Sequence, residues 1–175
     1  MHNRKLLPIL LFFILVGTLG KPMAFAGSKS GGINWLKYDN ALEQAKKRKK
    51  HVIVDFTASW CGWCKKMAAT TYQDTQVVNT INRDFVAAIV DGDSYNVLKM
   101  KDGDVTEKGI TVQYRVSGYP TTWFLEPDGT KIAPAPGYIQ TQAMMYILDF
   151  VRTNANDKMS FKEFVEKQTL KGGSK

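Results

Sequence analysis

Cysteine and histidine are both scarce in this 175-residue chain, with two of each. A structural zinc site needs about four ligands; His2 falls in the first 26 residues, which read as a removable leader, so only Cys61, Cys64 and His51 remain and that reading is nearly excluded. Two cysteines are also too few to staple a domain of this size as a disulfide scaffold. Covalent haem attachment asks for a histidine directly after the second cysteine, and Lys65 stands there. Uninterrupted apolar sequence is short as well. Lys21 breaks the N-terminal run before it reaches the roughly 20 residues of a spanning helix. No aromatic-basic interleaving and no nucleotide, flavin or metal motif is present, which argues against nucleic acid and those cofactors. Asp91-Gly92-Asp93 and Asp102-Gly103-Asp104 lack the spaced oxygens and closing glutamate of a calcium loop and read as ordinary turns.

The N-terminus has the layout of an export signal. Arg4 and Lys5 form a basic start, Leu6 to Val16 a short apolar core, and Ala24-Phe25-Ala26 a small-x-small cleavage site. Residues 1–26 are therefore expected to be a signal peptide, with Gly27 as the mature start; an uncleaved N-terminal anchor is the alternative. The full chain carries a formal charge of +8. Removal of Arg4, Lys5 and Lys21 with the signal leaves +5, a mild excess that favours acidic partners only weakly. Export implies an oxidising space, the bacterial periplasm above all, in which a lone cysteine pair is expected to do chemistry.

Along the rest of the chain, residues 27–33 read as a flexible leader, 34–155 as one domain, and 156–175 as a C-terminal amphipathic helix and tail. Asn34 to Tyr38 reads as a short edge strand, and Asp39 as the cap of a helix that ends in the cations 46–50. Val52 to Thr57 is an apolar, β-branched strand interrupted by Asp55. A helix from Cys61 to about Thr71 follows, and Asp74 or Thr75 caps the next one. Phe85 to Val90 is another buried strand. Residues 94–115 give little signal. Thr121 to Leu125 and Lys131 to Ala133 form a hairpin, Thr141 opens a helix, and Ser160 with Glu163 forms a capping box for a last one.

The cysteines flank two residues at the junction of strand and helix, in Trp60-Cys61-Gly62-Trp63-Cys64. A pair so spaced closes and opens a small disulfide ring. Cys61 falls at a helix N-terminus, where free N–H groups and the dipole favour a thiolate. A thiolate attacks disulfide sulfur; Cys64, one turn on and more shielded, is placed to resolve the mixed disulfide. An inert structural disulfide is the competing reading.

The stretch Val54-Asp55-Phe56-Thr57-Ala58-Ser59-Trp60-Cys61-Gly62-Trp63-Cys64-Lys65, with Tyr114-Arg115-Val116-Ser117-Gly118-Tyr119-Pro120-Thr121 downstream, resembles the thioredoxin family. The resemblance covers most of residues 34 to 153. The run Cys-Lys-Lys-Met-x-x-Thr-Thr-Tyr-x-Asp is most similar to exported thioredoxin-like proteins and to the C-terminal domain of the transmembrane thiol:disulfide interchange reductase. It implies an α/β thioredoxin-like fold: a central mixed sheet flanked by helices, an insertion before the proline turn, and the extra C-terminal helix.

The resemblance also implies roles. Cys61 and Cys64 are the redox-active disulfide, and Asp55 is a buried carboxyl with a raised pKa that moves the proton of Cys64. Pro120 is a cis-proline that sets the backbone of Tyr119 beside the cysteines. Trp60, Gly62, Trp63, Tyr119 and Pro120 border the substrate, with Trp60 as a packing residue and Trp63 exposed. Two departures stand out: the family's companion lysine falls near Ala87, and the acid that some relatives carry after the second cysteine is Ala68. The implied function is exported thiol-disulfide exchange that reduces protein disulfides, with no cofactor beyond the dithiol and no metal. A membrane or periplasmic redox partner would reset the protein, which is expected to be a monomer. An oxidase or isomerase is the alternative, although the helical insertion of the one and the dimerisation domain of the other are absent. A non-catalytic binding module is the reading from another class.

Overall fold

A computed structural model describes residues 31–172. The signal peptide, residues 27–30 of the leader and the last three residues of the tail lie outside the described residues. Strand β1 (Trp35–Leu36) leads into α1 (Tyr38–Arg48), followed by β2 (His51–Thr57) and α2 (Gly62–Ala69). A 3-10 turn (Thr71–Gln73) joins α2 to α3 (Thr75–Asp84), which runs straight into β3 (Phe85–Asp91). Two short strands, β4 (Val97–Leu98) and β5 (Val105–Thr106), precede α4 (Glu107–Gln113). The hairpin β6 (Thr121–Leu125) and β7 (Lys131–Pro136) is followed by α5 (Thr141–Arg152) and α6 (Phe161–Gly172).

The main sheet has the order β1-β3-β2-β6-β7. β2 pairs parallel with β3 and antiparallel with β6, so the sheet is mixed. Side chains alternate across β2. Val52, Val54 and Phe56 join the core under α1 and α4, while Ile53 joins the core under α2, α3 and α5. Period-two alternation puts Asp55 on the Ile53 side, the face on which α2 begins. That is why an acid in this strand lands beside the cysteines.

Local signals explain most boundaries. Asp74 caps α3, its carboxylate accepting from the backbone N–H of Gln76 (2.9 Å) and Val77 (3.1 Å). The capping box at α6 is closed in both directions: Glu163 N–H donates to Ser160 Oγ, and Ser160 N–H donates to Glu163 Oε2. Phe150 of α5 meets Phe161 edge-on and Phe164 at a tilt, which docks α6 on α5. Pro134 and Pro136 are accommodated because β7 is an edge strand with one side free of ladder bonds.

Several expectations need correction. Asp39 is not the cap of α1: Lys37 holds that position without a side-chain bond, and Asp39 sits in the first turn, accepting from the N–H of Lys99. Helix α2 stops at Ala69, and residues 71–73 tighten into a 3-10 turn. The return strand of the hairpin continues past Ala133 to Pro136. Residues 94–115 form the small β4–β5 hairpin and α4, whose cap Thr106 accepts from Gly109 N–H at 3.0 Å.

Candidate active site

The cysteine pair sits where β2 ends and α2 begins. Cys61 is the N-cap of α2, and its own N–H donates to the carbonyl of Ala58. Cys61 and Cys64 form a disulfide with Cα atoms 5.3 Å apart. The N–H of Cys64 points at Cys61 Sγ from 3.0 Å. A thiolate formed at Cys61 would keep that donor and the positive end of the helix. The expected contrast in exposure does not appear: Cys61 is 4% exposed and Cys64 7%. In the closed ring both cysteines pack with Ala58 and Tyr119, so what separates the two is position. Cys61 lies at the cap, while Cys64 faces inward.

Inward from Cys64 lies a cavity of about 220 Å³. Asp55, Thr57, Cys64, Ala68, Tyr72 and Ile89 are among its lining residues. Asp55 is 6% exposed, and burial pushes its carboxyl from 3.8 up to about 7. Hydrogen bonds from Tyr72 and Thr122 pull the other way. Tyr72 Oη donates to Asp55 Oδ1 at 3.1 Å and lies 3.4 Å from Thr122 Oγ1. Among the described residues no cation lines this cavity. The register neighbours of Asp55 are Ile89 on β3 and Thr122 on β6. Ala87 pairs with Ile53, and Ala68 forms part of the cavity wall, so neither position supplies a charge.

The outer rim of the disulfide is aromatic. The Tyr119–Pro120 bond is cis, and Tyr119 packs against Ala58 and both cysteines. Its ring lies over Gly92, where a Cβ would come within 1.8 Å of the hydroxyl. Only glycine leaves that room. Partial burial raises the Tyr119 hydroxyl pKa, helped by Asp93 and Asp91 and opposed by Lys108. Trp60 was expected to pack beside the site, yet it is 68% exposed. It stands edge-on to Tyr119 at 5.8 Å, and its Nε1 donates to Asp93 Oδ2. Trp63 is also exposed, lying 5.6 Å from the Tyr138 ring with the Lys66 ammonium over both. Gly62 lies in the open, with nothing near the place of a side chain.

The fold thus brings Cys61, Cys64, Asp55, Trp60, Trp63, Tyr119 and Pro120 around one centre. Tyr72, Thr122, Gly92 and Tyr138 belong to it too. Tyr72 and Thr122 had a faint signal in the Thr-Thr-Tyr run and in the alternation after Pro120; Gly92 read as a turn, and Tyr138 had none. A larger cavity of about 550 Å³ beside α4 and β7 holds no cysteine or carboxylate and is not part of this centre. Among the described residues no group of three or more His, Cys, Asp or Glu could hold a metal ion.

Comparison with known proteins agrees with this geometry. The thioredoxin-like domain profile matches residues 38–152. A protein disulfide-isomerase of Hordeum vulgare is 30% identical over 116 residues, covering 66% of this chain and 19% of that protein. The chain therefore spans about a fifth of this relative's length. Disulfide bond reductase DsbH of Chlamydia pneumoniae is 27% identical over 105 residues, covering 59% of this chain and 63% of that protein. Among solved structures, a thioredoxin-fold protein from Helicobacter pylori superposes with a TM-score of 0.60 at 16% identity. That match covers 70% of this chain and 86% of that one, and it speaks for the fold alone.

Proposed function

This chain belongs to the thioredoxin-like domain family, and from that premise we propose that it is a thiol-disulfide oxidoreductase that reduces protein disulfides. In the reduced protein the Cys61 thiolate attacks one sulfur of a substrate disulfide. A bond forms between Cys61 and that sulfur, the substrate S–S bond breaks, and the other substrate sulfur leaves as a thiolate that takes a proton. Cys64 then passes its proton through water in the cavity to the Asp55 carboxylate and attacks Cys61 Sγ. The mixed disulfide breaks, the second substrate sulfur leaves and is protonated, and the protein is left as the Cys61–Cys64 disulfide. Two electrons have moved from the dithiol to the substrate. The dithiol is the whole redox group, and no further cofactor takes part.

One observation carries this reading: Asp55, a buried acid, shares a cavity wall with Cys64 at the inner side of a disulfide that caps a helix. Burying an acid without a cation is unfavourable, so its place there calls for a use. The aromatic rim of Trp60, Trp63, Tyr119 and Pro120 is the surface on which a substrate polypeptide would lie.

The signal-like sequence of residues 1–26 supports export to the periplasm, with cleavage before Gly27, as part of this reading. No helix among the described residues is long and apolar enough to cross a membrane. A separate membrane or periplasmic thiol partner would return the disulfide to the dithiol, and the protein would act as a monomer. The direction is tested by equilibrating the pair with glutathione. A potential more negative than about −200 mV supports reduction, and one near about −120 mV, the oxidase range, overturns it.

A further inference from the structure

The geometry points to Tyr72 as a positioning residue for the release step: its hydroxyl holds the Asp55 carboxyl on the cavity wall, where the described residues offer no cation. The inference rests on the proton role given to Asp55 above. Tyr72 is 4% exposed, and its place is fixed from three sides. Its 3-10 turn is tied down by Thr71 Oγ1, which donates to the carbonyl of Ile139 at 2.6 Å. Asp74, two residues on, caps α3. Trp35 meets the Tyr72 ring edge-on at 5.0 Å. A phenylalanine would fill the same space, so packing alone does not account for the hydroxyl.

While Asp55 is ionised, that hydroxyl can serve both neighbours at once. Its proton goes to Asp55 Oδ1, and the lone pair left over accepts from Thr122 Oγ1. Tyr72 then ends on the carboxylate, with the Thr122 hydroxyl behind it as a second donor in reach of both Tyr72 and Asp55. Such a chain favours the ionised acid, opposing the burial that favours the neutral one.

The groups facing Asp55 are few. Thr57 follows on its own strand, Ile89 lies on β3, Thr122 on β6, Cys64 on α2, and Ile33 and Trp35 line the N-terminal side. Among these described groups Tyr72 is the one other acid while the disulfide is closed, and Cys64 joins it once reduced. Burial raises the Tyr72 hydroxyl well above its ordinary range, so it remains a donor throughout.

The cavity also has its own way to solvent. Gly32, Ala68, Gln73 and Ile89 line it and are exposed, and none of them belongs to the aromatic rim. Among the described residues that side is separate from Trp60, Trp63 and Tyr119, where a substrate polypeptide would lie. Asp55 can therefore exchange the proton it takes from Cys64 while the substrate is still attached.

The test compares wild type with Tyr72→Phe in the full-length exported protein. The carboxyl of Asp55 is titrated by carbon NMR. Release is read in single turnover with Ellman's reagent, whose second thionitrobenzoate leaves as Cys64 attacks. Loss of the hydroxyl should move the Asp55 midpoint from about 7 to about 8. The ionised fraction at pH 7 then drops, and the second phase should slow about fivefold there and recover by about pH 9. An unmoved midpoint overturns the assignment of Tyr72 and leaves Asp55 its role. A moved midpoint with an unchanged second phase overturns the proton role of Asp55, and the inference with it. Should Tyr72→Phe fail to fold, Thr122→Val interrupts the same chain from its other end. It must then raise the midpoint, and an unchanged titration refutes the inference.

Discussion

Replacing Asp55 with asparagine keeps the shape of the side chain and removes its charge. An asparagine Oδ1 still accepts from Tyr72, and its amide can meet water in the cavity, so no new clash arises. The carboxyl rises from 3.8 to about 7 in the folded protein. The folded state therefore holds a proton that the unfolded state gives up. The contribution of Asp55 to stability is complete below about pH 4 and is lost as the pH climbs toward 7. Each tenfold change in proton affinity is worth about 1.4 kcal/mol, so the whole rise amounts to about 4 kcal/mol. Asp55→Asn should match wild type at about pH 4 and exceed it by an amount that grows to about 4 kcal/mol at pH 8, then levels off. Guanidinium unfolding of the oxidised forms at several pH values measures the difference. A gap that is constant with pH, or a wild type that is the more stable at pH 8, refutes the reasoning. The same variant should release Ellman's product slowly in its second phase, because an amide cannot take the proton from Cys64. Stability and activity would then move in opposite directions at one residue.

Gly92→Ala places a methyl within 1.8 Å of the Tyr119 hydroxyl, so the ring must leave its seat over the cysteines. We expect a loss of about 2 kcal/mol in urea unfolding, with slower attack on insulin disulfides. Trp63→Ala removes the ring that stacks on Tyr138 and carries Lys66. Folding should be almost unaffected, while kcat/KM for protein disulfides falls roughly fivefold, the equivalent of about 1 kcal/mol, mainly through KM. Ser160→Ala opens the capping box of α6; hydrogen exchange should quicken in that helix and leave β2 and β3 unchanged.

The strands and most helices were legible because their signals are local. Alternation in Val52 to Thr57, the Asp74 cap and the Ser160–Glu163 box each act within a few residues. Helix α1 misled because an aspartate near a helix start usually caps it; here Asp39 is taken up by the N–H of Lys99, sixty residues away. Residues 94–115 gave little because β4 and β5 have two residues each, too short for any period to show.

The candidate site divides along the same line. Cys61, Cys64 and Asp55 stand within one strand–turn–helix and could be read together. The Tyr72 hydroxyl and the room left by Gly92 depend on a 3-10 turn and on a loop that meets Tyr119 across the sheet end. Equal burial of the two cysteines was likewise not visible, since a closed ring hides both sulfurs.

Insulin-disulfide reduction with dithiothreitol as the electron source bears most directly on the central claim, that Cys61 is the attacking thiolate. Wild type should turn over repeatedly, and Cys61→Ser should fall to the uncatalysed rate. Equal turnover by the two proteins would contradict the claim and leave the fold as a binding surface.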